Sequence, residues 1–100
     1  MIPRRIELHP LAVTGARAAR RWYARRSANA ALRFMDALDR SIEQVATAPD
    51  LCPGYLHGTR ACRLRRFPSV VVFRETEVVT QIVAVAHLKR RPGYWRRRDP

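Results

Sequence analysis

Residues 83–95 read VAVAHLKRRPGYW, and this stretch is the strongest fold signal in the chain. Its first part is an uninterrupted apolar run, which is typical of a buried strand. The run ends at His87, and three cations, a Pro-Gly pair, a phenol and an indole follow it. A rigid strand therefore delivers to one edge of the fold side chains that are able to bind phosphates, stack on a base and transfer a proton.

Two further strand patterns precede this one along the chain. Residues 59–66 alternate imperfectly between apolar and charged side chains, and residues 69–75 (SVVVFRE) form a second apolar run after a proline. A polar turn at residues 75–77 leads into the third strand, which we predict over residues 78–87. Three successive strands joined by short turns predict an antiparallel meander.

The first half of the chain predicts one strand and two helices. Residues 2–8 alternate as a short strand at or near a sheet edge, and residues 11–26 and 28–48 have helical periodicity. Ser27 is a suitable N-cap for the second helix, and the short connection makes the two helices an antiparallel hairpin. The fold class is therefore α+β, a two-layer β-α-α-β-β-β arrangement in which the hairpin packs on a mostly antiparallel sheet. All 100 residues are expected to form a single domain.

The helices carry distinct apolar and charged faces. A wide apolar stripe that includes Phe34 is expected to cover one face of the sheet. Trp22 and Tyr23 are expected in the core of the hairpin. Asp36 and Arg40 are one helical turn apart and should pair on the outer face.

Composition indicates a basic globular protein. The net charge is +12, and all of the twenty basic residues except Lys89 are arginine. The 47% hydrophobic share excludes a disordered chain, and the charge favours polyanions or an acidic partner. Cys52 and Cys62 lack the paired spacing of a zinc site. Their separation allows a disulfide, but nothing in the sequence indicates secretion, so we expect two reduced thiols. The sequence has no signal-peptide pattern or membrane-length apolar run, so we expect a cytoplasmic protein without membrane contact.

The sheet face that the helices leave open is the candidate site. If Cys62 and Leu64 point towards the helices, alternation places Arg63 and Arg65 on the other face. With the C-terminal residues folding back, this face is predicted to form a basic groove. Its expected lining is Arg63, Arg65, Arg74, His87 and Tyr94.

Each of these side chains also has a structural reading. His87 is either a proton-transfer group or a strand-end histidine bonded to the backbone. Tyr94 and Trp95 either contact a ligand or pack the C-terminal residues onto the sheet. The sequence contains no suitably placed carboxylate pair, glycine-rich phosphate loop, zinc spacing or serine-nucleophile motif, so neither a metal nor a cofactor is predicted.

The chain resembles the RelE/ParE superfamily, the toxins of type II toxin–antitoxin (plasmid stabilisation) modules. The resemblance is carried by ELHPLA, ARRWYARRS, ALRFMDALDRSIEQVATAP, RACRLRRFPSVVVFRE and IVAVAHLKRRPGYWRRR, and so covers nearly the whole length. It implies the same fold, a bacterial cytoplasmic location, and a cognate antitoxin whose acidic C-terminal segment wraps around the toxin. An acidic partner agrees with the net charge of +12.

The resemblance implies two alternative mechanisms on one scaffold. The favoured one is a ribosome-dependent, metal-independent mRNA endonuclease, and the alternative is a ParE-like, non-enzymatic inhibitor of DNA gyrase. In the first, the catalytic candidates are His87, Tyr94, Arg63 and Arg74. The remaining nucleic-acid and phosphate contacts are expected from Arg60, Arg65, Lys89, Arg90, Arg91 and Trp95. In the second, the arginine-rich C-terminal residues are a contact surface for the gyrase–DNA complex.

Overall fold

The fold is described from a computed structural model, which places residues 5–98. The elements in chain order are β1 (Ile6–Leu8), α1 (Pro10–Ala24), α2 (Ala28–Thr47), β2 (Arg60–Arg63), β3 (Ser69–Glu75) and β4 (Thr80–His87). Two short 3-10 turns, Pro49–Leu51 and Leu56–Gly58, lie between α2 and β2. The predicted β-α-α-β-β-β order is confirmed. The predicted first strand began at residue 2, and its first residues lie outside the described range.

The four strands form one mixed sheet in the order β1-β4-β3-β2. β2, β3 and β4 are successive antiparallel neighbours, which confirms the meander. β1 lies at an edge and runs parallel to β4, with Ile6 paired to Thr80. Because a parallel pair needs a long crossover, the helical hairpin between β1 and β2 crosses over one face of the sheet.

Local capping sets where the two helices begin. The side chain of His9 accepts a hydrogen bond from the amide of Leu11 at 3.1 Å, and Pro10 occupies the first turn. Ser27 caps α2 as predicted, since its Oγ accepts from the amide of Ala30 at 3.3 Å.

The core lies between the helices and one face of the sheet, here called the helix side. The sheet and the residue that follows β2, Leu64, line this core; the strand residues are Cys62, Val71, Phe73, Ile82 and Val85, and all six are buried. Phe34 of α2 is fully buried among them and stacks with Tyr23 at 5.1 Å. The expectation for Trp22 was wrong: it is 46% exposed, and the Arg26 guanidinium lies 3.3 Å from its ring centroid.

A β-bulge in β4 changes which residues face the helices. Val72 pairs with Ala84 but Phe73 pairs with Ile82, so Val83 is an extra residue in β4. Val83 and Ala84 therefore both belong to the cluster on the opposite face, and Val85 points to the helix side. Every residue after the bulge is displaced by one position relative to simple alternation.

Candidate functional site

The second face of the sheet is covered by the chain's own C-terminal segment, residues 88–98, here called the tail. Trp95 is only 2% exposed and packs in a cluster with β-sheet residues on this face, here called the tail side. The Arg98 guanidinium donates to the carbonyl of Val83 at 2.9 Å. Tyr55, from the loop before β2, stacks on the outer face of the Trp95 ring at 5.4 Å and 16°. The packing alternative for Trp95 is therefore the one that the structure bears out.

Arg74 lies on the tail side, as expected, but its guanidinium already has partners. Its Nε donates to Oε1 of Gln81 at 3.2 Å, and its Nη2 donates to the carbonyl of Arg98. Arg74 thus holds the end of the tail against the sheet. This contact stabilises the tail, and an incoming phosphate would have to compete with it.

The outer surface of the tail is strongly cationic. Its exposed basic side chains are Lys89, Arg90, Arg91, Arg96 and Arg97. The Arg90 guanidinium lies 3.9 Å from the ring centroid of Tyr94, and that of Arg98 lies 5.1 Å from it. Since guanidinium groups contact the Tyr94 ring, a stacked base would have to displace them. The buried Trp95 thus anchors a tail whose outer surface is positively charged.

His87 does not join the groove that alternation predicts. The bulge turns it to the helix side, where it lines an open pocket of about 550 Å³ with Trp22 and residues of α1. Its Nδ1 accepts the amide of Lys89 at 3.0 Å, so in the neutral ring the proton is on Nε2. Lys89 and Arg90 line the same pocket.

Of the remaining sequence candidates, Arg63 lies as expected and Arg65 does not. Arg63 is exposed at the end of β2, on the same side as Ala61. It pairs with Val70, about 13 Å along the sheet from Arg74 at roughly 3.3 Å per residue. Arg65 lies beyond the end of β2, where alternation no longer applies, and it faces α2 on the helix side.

Arg60 is engaged in structural contacts. Its guanidinium donates to the carbonyl of Cys52 at 2.9 Å and lies 3.9 Å from Asp50 and 3.7 Å from Glu75. The chain therefore uses Arg60 to fix the loop before β2 to the sheet. It remains a candidate for phosphate binding only through displacement of these partners.

The loop before β2 is a part of the site that sequence reasoning missed. Besides Tyr55, it brings His57 against Gly93, where an added Cβ would lie 2.8 Å from Nε2 of His57. Gly93 has a φ of +77°, in the region that favours glycine. The Pro-Gly pair in the sequence was the available signal for this turn, but nothing local indicated its contact with the loop.

The two thiols are buried beside each other in the core. Cys52 and Cys62 are both free cysteines, and the amide of Gln44 donates to the Cys52 sulfur at 3.8 Å. Burial and the neighbouring Cys62 raise the pKa of Cys52 to about 12. Cys52 is therefore a protonated, unreactive core residue at neutral pH.

Comparison with known proteins agrees with this architecture. The family model for the ParE toxin of type II toxin–antitoxin system, parDE, matches residues 6–92. The chain belongs to the ParE toxin family. It is therefore the toxin of a type II toxin–antitoxin system, within the RelE/ParE superfamily, and such a toxin has a cognate antitoxin as its partner.

A solved structure supports the fold of this ParE-family toxin. The structure titled "Chromosomal ParDE TA system from P. aeruginosa" matches with a TM-score of 0.73 and 17% identity, covering 84% of this chain and 95% of that chain. A likeness at this identity concerns the fold alone. No curated protein matches the sequence.

Within residues 5–98, no group of three or more His, Cys, Asp or Glu side chains is placed to hold a metal ion. None of the helices in the described part of the chain is long and apolar enough to cross a membrane.

Proposed function

We propose that this ParE-family toxin inhibits DNA gyrase by binding and performs no catalysis of its own. The observation that carries the proposal is the tail, which is anchored by the buried Trp95 and by the hydrogen bond of Arg98 to Val83 while its other cations face solvent. A pre-organised charged surface loses less conformational entropy on association than a free tail would. It suits a complex of protein and DNA, whose phosphates attract arginine.

The arrangement of the other candidates supports the same proposal. RNA cleavage needs proton-transfer groups and phosphate-binding cations at one scissile phosphate. Here His87 lies on the helix side and Arg74 on the tail side, where it holds the tail. The sheet therefore separates two groups that the endonuclease mechanism would use together.

The antitoxin is expected to act on the same cations. The net charge of +12 favours an acidic partner segment, and the tail surface concentrates five exposed basic side chains. We propose that the acidic segment of the cognate antitoxin covers the tail and so competes with the target.

The mRNA endonuclease remains the second candidate function because of one feature. Nδ1 of His87 accepts the hydrogen bond from the Lys89 amide, and Nε2 lies on the other side of the ring. Lys89 and Arg90 line the helix-side pocket together with His87. This group offers a proton-transfer atom beside two cations on the helix side. In that case the reacting phosphate would lie over the pocket and not in the groove that the sequence predicted.

A supercoiling assay tests the proposal directly. Purified toxin is titrated into DNA gyrase acting on relaxed plasmid, and the products are separated by agarose electrophoresis. The test variant reverses three exposed tail charges: Arg91→Glu, Arg96→Glu and Arg97→Glu. The matched control reverses three exposed charges on α1: Arg17→Glu, Arg20→Glu and Arg21→Glu.

We expect the tail variant to raise the half-inhibitory concentration at least about tenfold. This corresponds to about 1.4 kcal/mol, which lies below the roughly 1.5–7 kcal/mol of coupling for close interfacial charge pairs. The control should stay close to wild type. Full supercoiling in the presence of wild-type toxin would refute the proposal. Primer extension on messenger from a cell-free translation reaction then tests the endonuclease, in which His87→Ala should abolish the cuts.

A further inference from the structure

A second cationic site lies on the helix side, away from the tail. It is an open pocket of about 830 Å³ between the end of α1, one face of α2 and the β2–β3 turn. Four arginines line it: Arg33, Arg40, Arg65 and Arg66. Its aromatic wall is formed by Tyr23 and Phe67.

The charges of this pocket are only partly compensated. Asp36 pairs with Arg40 at 3.2 Å, and it is the only carboxylate in the lining. Arg33, Arg65 and Arg66 form no ion pair with any residue of the described range 5–98. Four guanidinium groups and one carboxylate leave the pocket with a net charge of +3. The site therefore attracts an anionic ligand.

The β2–β3 turn carries two of these arginines and holds one of them, Arg66, in an unusual backbone conformation. Arg66 has a φ of +69°, in the left-handed region that a non-glycine residue adopts at a cost of about 1–2 kcal/mol. The hydrogen bond from the Phe67 amide to the Leu64 carbonyl, at 3.3 Å, closes the turn. Strain held at a charged residue is typical of a functional position.

The aromatic wall determines which anion fits best. Phe67 packs edge to face on Tyr23 at 5.2 Å and on Phe34 at 5.5 Å, so its ring is held in place. Rigid aromatic surface beside unpaired arginines is the combination that binds unpaired nucleotides, with the base against the ring and the phosphates on guanidinium groups. Phosphates also match the bidentate geometry of arginine.

We propose that this arginine pocket binds a segment of single-stranded nucleic acid, with phosphates on Arg33, Arg65 and Arg66 and a base against Phe67. This binding does not depend on gyrase being the target of the toxin. Direct nucleic-acid binding on the helix side would leave the tail free to contact a protein at the same time.

Fluorescence anisotropy with a labelled oligothymidylate tests the pocket. The test variant removes the three unpaired charges: Arg33→Ala, Arg65→Ala and Arg66→Ala. The matched control removes three exposed charges from α1: Arg17→Ala, Arg20→Ala and Arg21→Ala. Circular dichroism melting of both variants shows that each is folded. Titrations at several salt concentrations give the slope of log K against log salt.

Each phosphate contact to a single strand contributes roughly 0.7 to the magnitude of this slope, so the loss of three contacts in the test variant should reduce it by about 2. The control should retain the wild-type slope. An abasic oligonucleotide, which keeps the phosphates, should bind wild-type protein at least about fivefold more weakly, since stacking contributes about 1–3 kcal/mol per base. If the pocket variant and the α1 control lost oligothymidylate binding equally, net charge would explain the effect and the proposal would be overturned. Equal affinity for the abasic strand, or arginine-dependent binding of oligoglutamate without binding of oligothymidylate, would also overturn it. The last result would assign the pocket to an acidic peptide.

Discussion

The anchoring of the tail is tested most directly at Trp95, by replacing it with alanine and with phenylalanine. The indole is 2% exposed, packs against Val72 and Val83, and is stacked by Tyr55 at 5.4 Å. Alanine removes the whole ring and leaves a cavity, which costs about 3–5 kcal/mol for buried Trp or Phe. The free energy of unfolding of a native protein is about 5–15 kcal/mol in total. We therefore expect Trp95→Ala to lose about a fifth or more of the free energy of unfolding.

The Trp95→Phe variant keeps an aromatic ring and removes the indole N–H. Nε1 of Trp95 is buried and has no hydrogen-bond partner among the described residues 5–98. An unsatisfied buried donor costs about 1–3 kcal/mol, so removing it offsets the smaller volume of the phenyl ring. We expect Trp95→Phe to stay within about 1 kcal/mol of wild type.

Urea denaturation followed by far-ultraviolet circular dichroism measures both variants, because Trp22 also contributes to fluorescence. The midpoint should fall sharply for alanine and little for phenylalanine, with an unchanged m-value. A loss below about 1 kcal/mol for Trp95→Ala would contradict a tail packed on the sheet. Equal losses for the two variants would mean that the indole N–H makes a bond that stabilises the protein.

Three further predictions concern a buried thiol, a glycine turn and a surface ion pair. Because burial raises the pKa of Cys52 from its ordinary value of 9.0 to about 12, the folded state holds the thiol proton more tightly than the unfolded state. The contribution of this thiol to stability should be complete below pH 9 and decline between pH 9 and about 12. Urea midpoints measured against pH in wild type and in Cys52→Ala check this. Gly93→Ala should cost about 1–3 kcal/mol from its φ of +77°, whereas Gly54→Ala, with open space around it, should cost less than about 1 kcal/mol in the same denaturation assay. A double-mutant cycle of Arg60 with Glu75 should give a coupling below about 1 kcal/mol that decreases in high salt, because both side chains are about a third exposed; a larger, salt-independent coupling would contradict a screened pair.

The fold could be predicted from the sequence because its signals are local. The apolar period of α2 identified Phe34 as a core residue, and the run at Ser69–Glu75 matched β3 at both ends. The Asp36–Arg40 pair follows from helical spacing alone and is present at 3.2 Å. Trp22 shows the limit of this approach, since a large aromatic residue next to a core position is also stable on the surface beneath an arginine.

The contacts of the tail could not be predicted in the same way. Trp95 packs against strands that precede it and under Tyr55, which is distant in sequence. No periodicity connects a turn-rich loop with a turn-rich C-terminal segment. The sequence therefore indicated a choice between packing and ligand contact for Trp95, and only tertiary structure separated them.

The bulge in β4 is the feature on which the choice of mechanism depends most. Residues 82–86 read IVAVA, so either register buries apolar side chains, and no polar residue marks which face is which. The extra residue, Val83, turns His87 to the helix side, whereas Arg74 stays on the tail side. The types of side chain in this sequence are compatible with a nuclease and with a binding protein, so they do not separate the two mechanisms. Our proposal of inhibition by binding rests on the distribution of His87 and Arg74 over two faces, because a single phosphate cannot lie on both faces of a sheet.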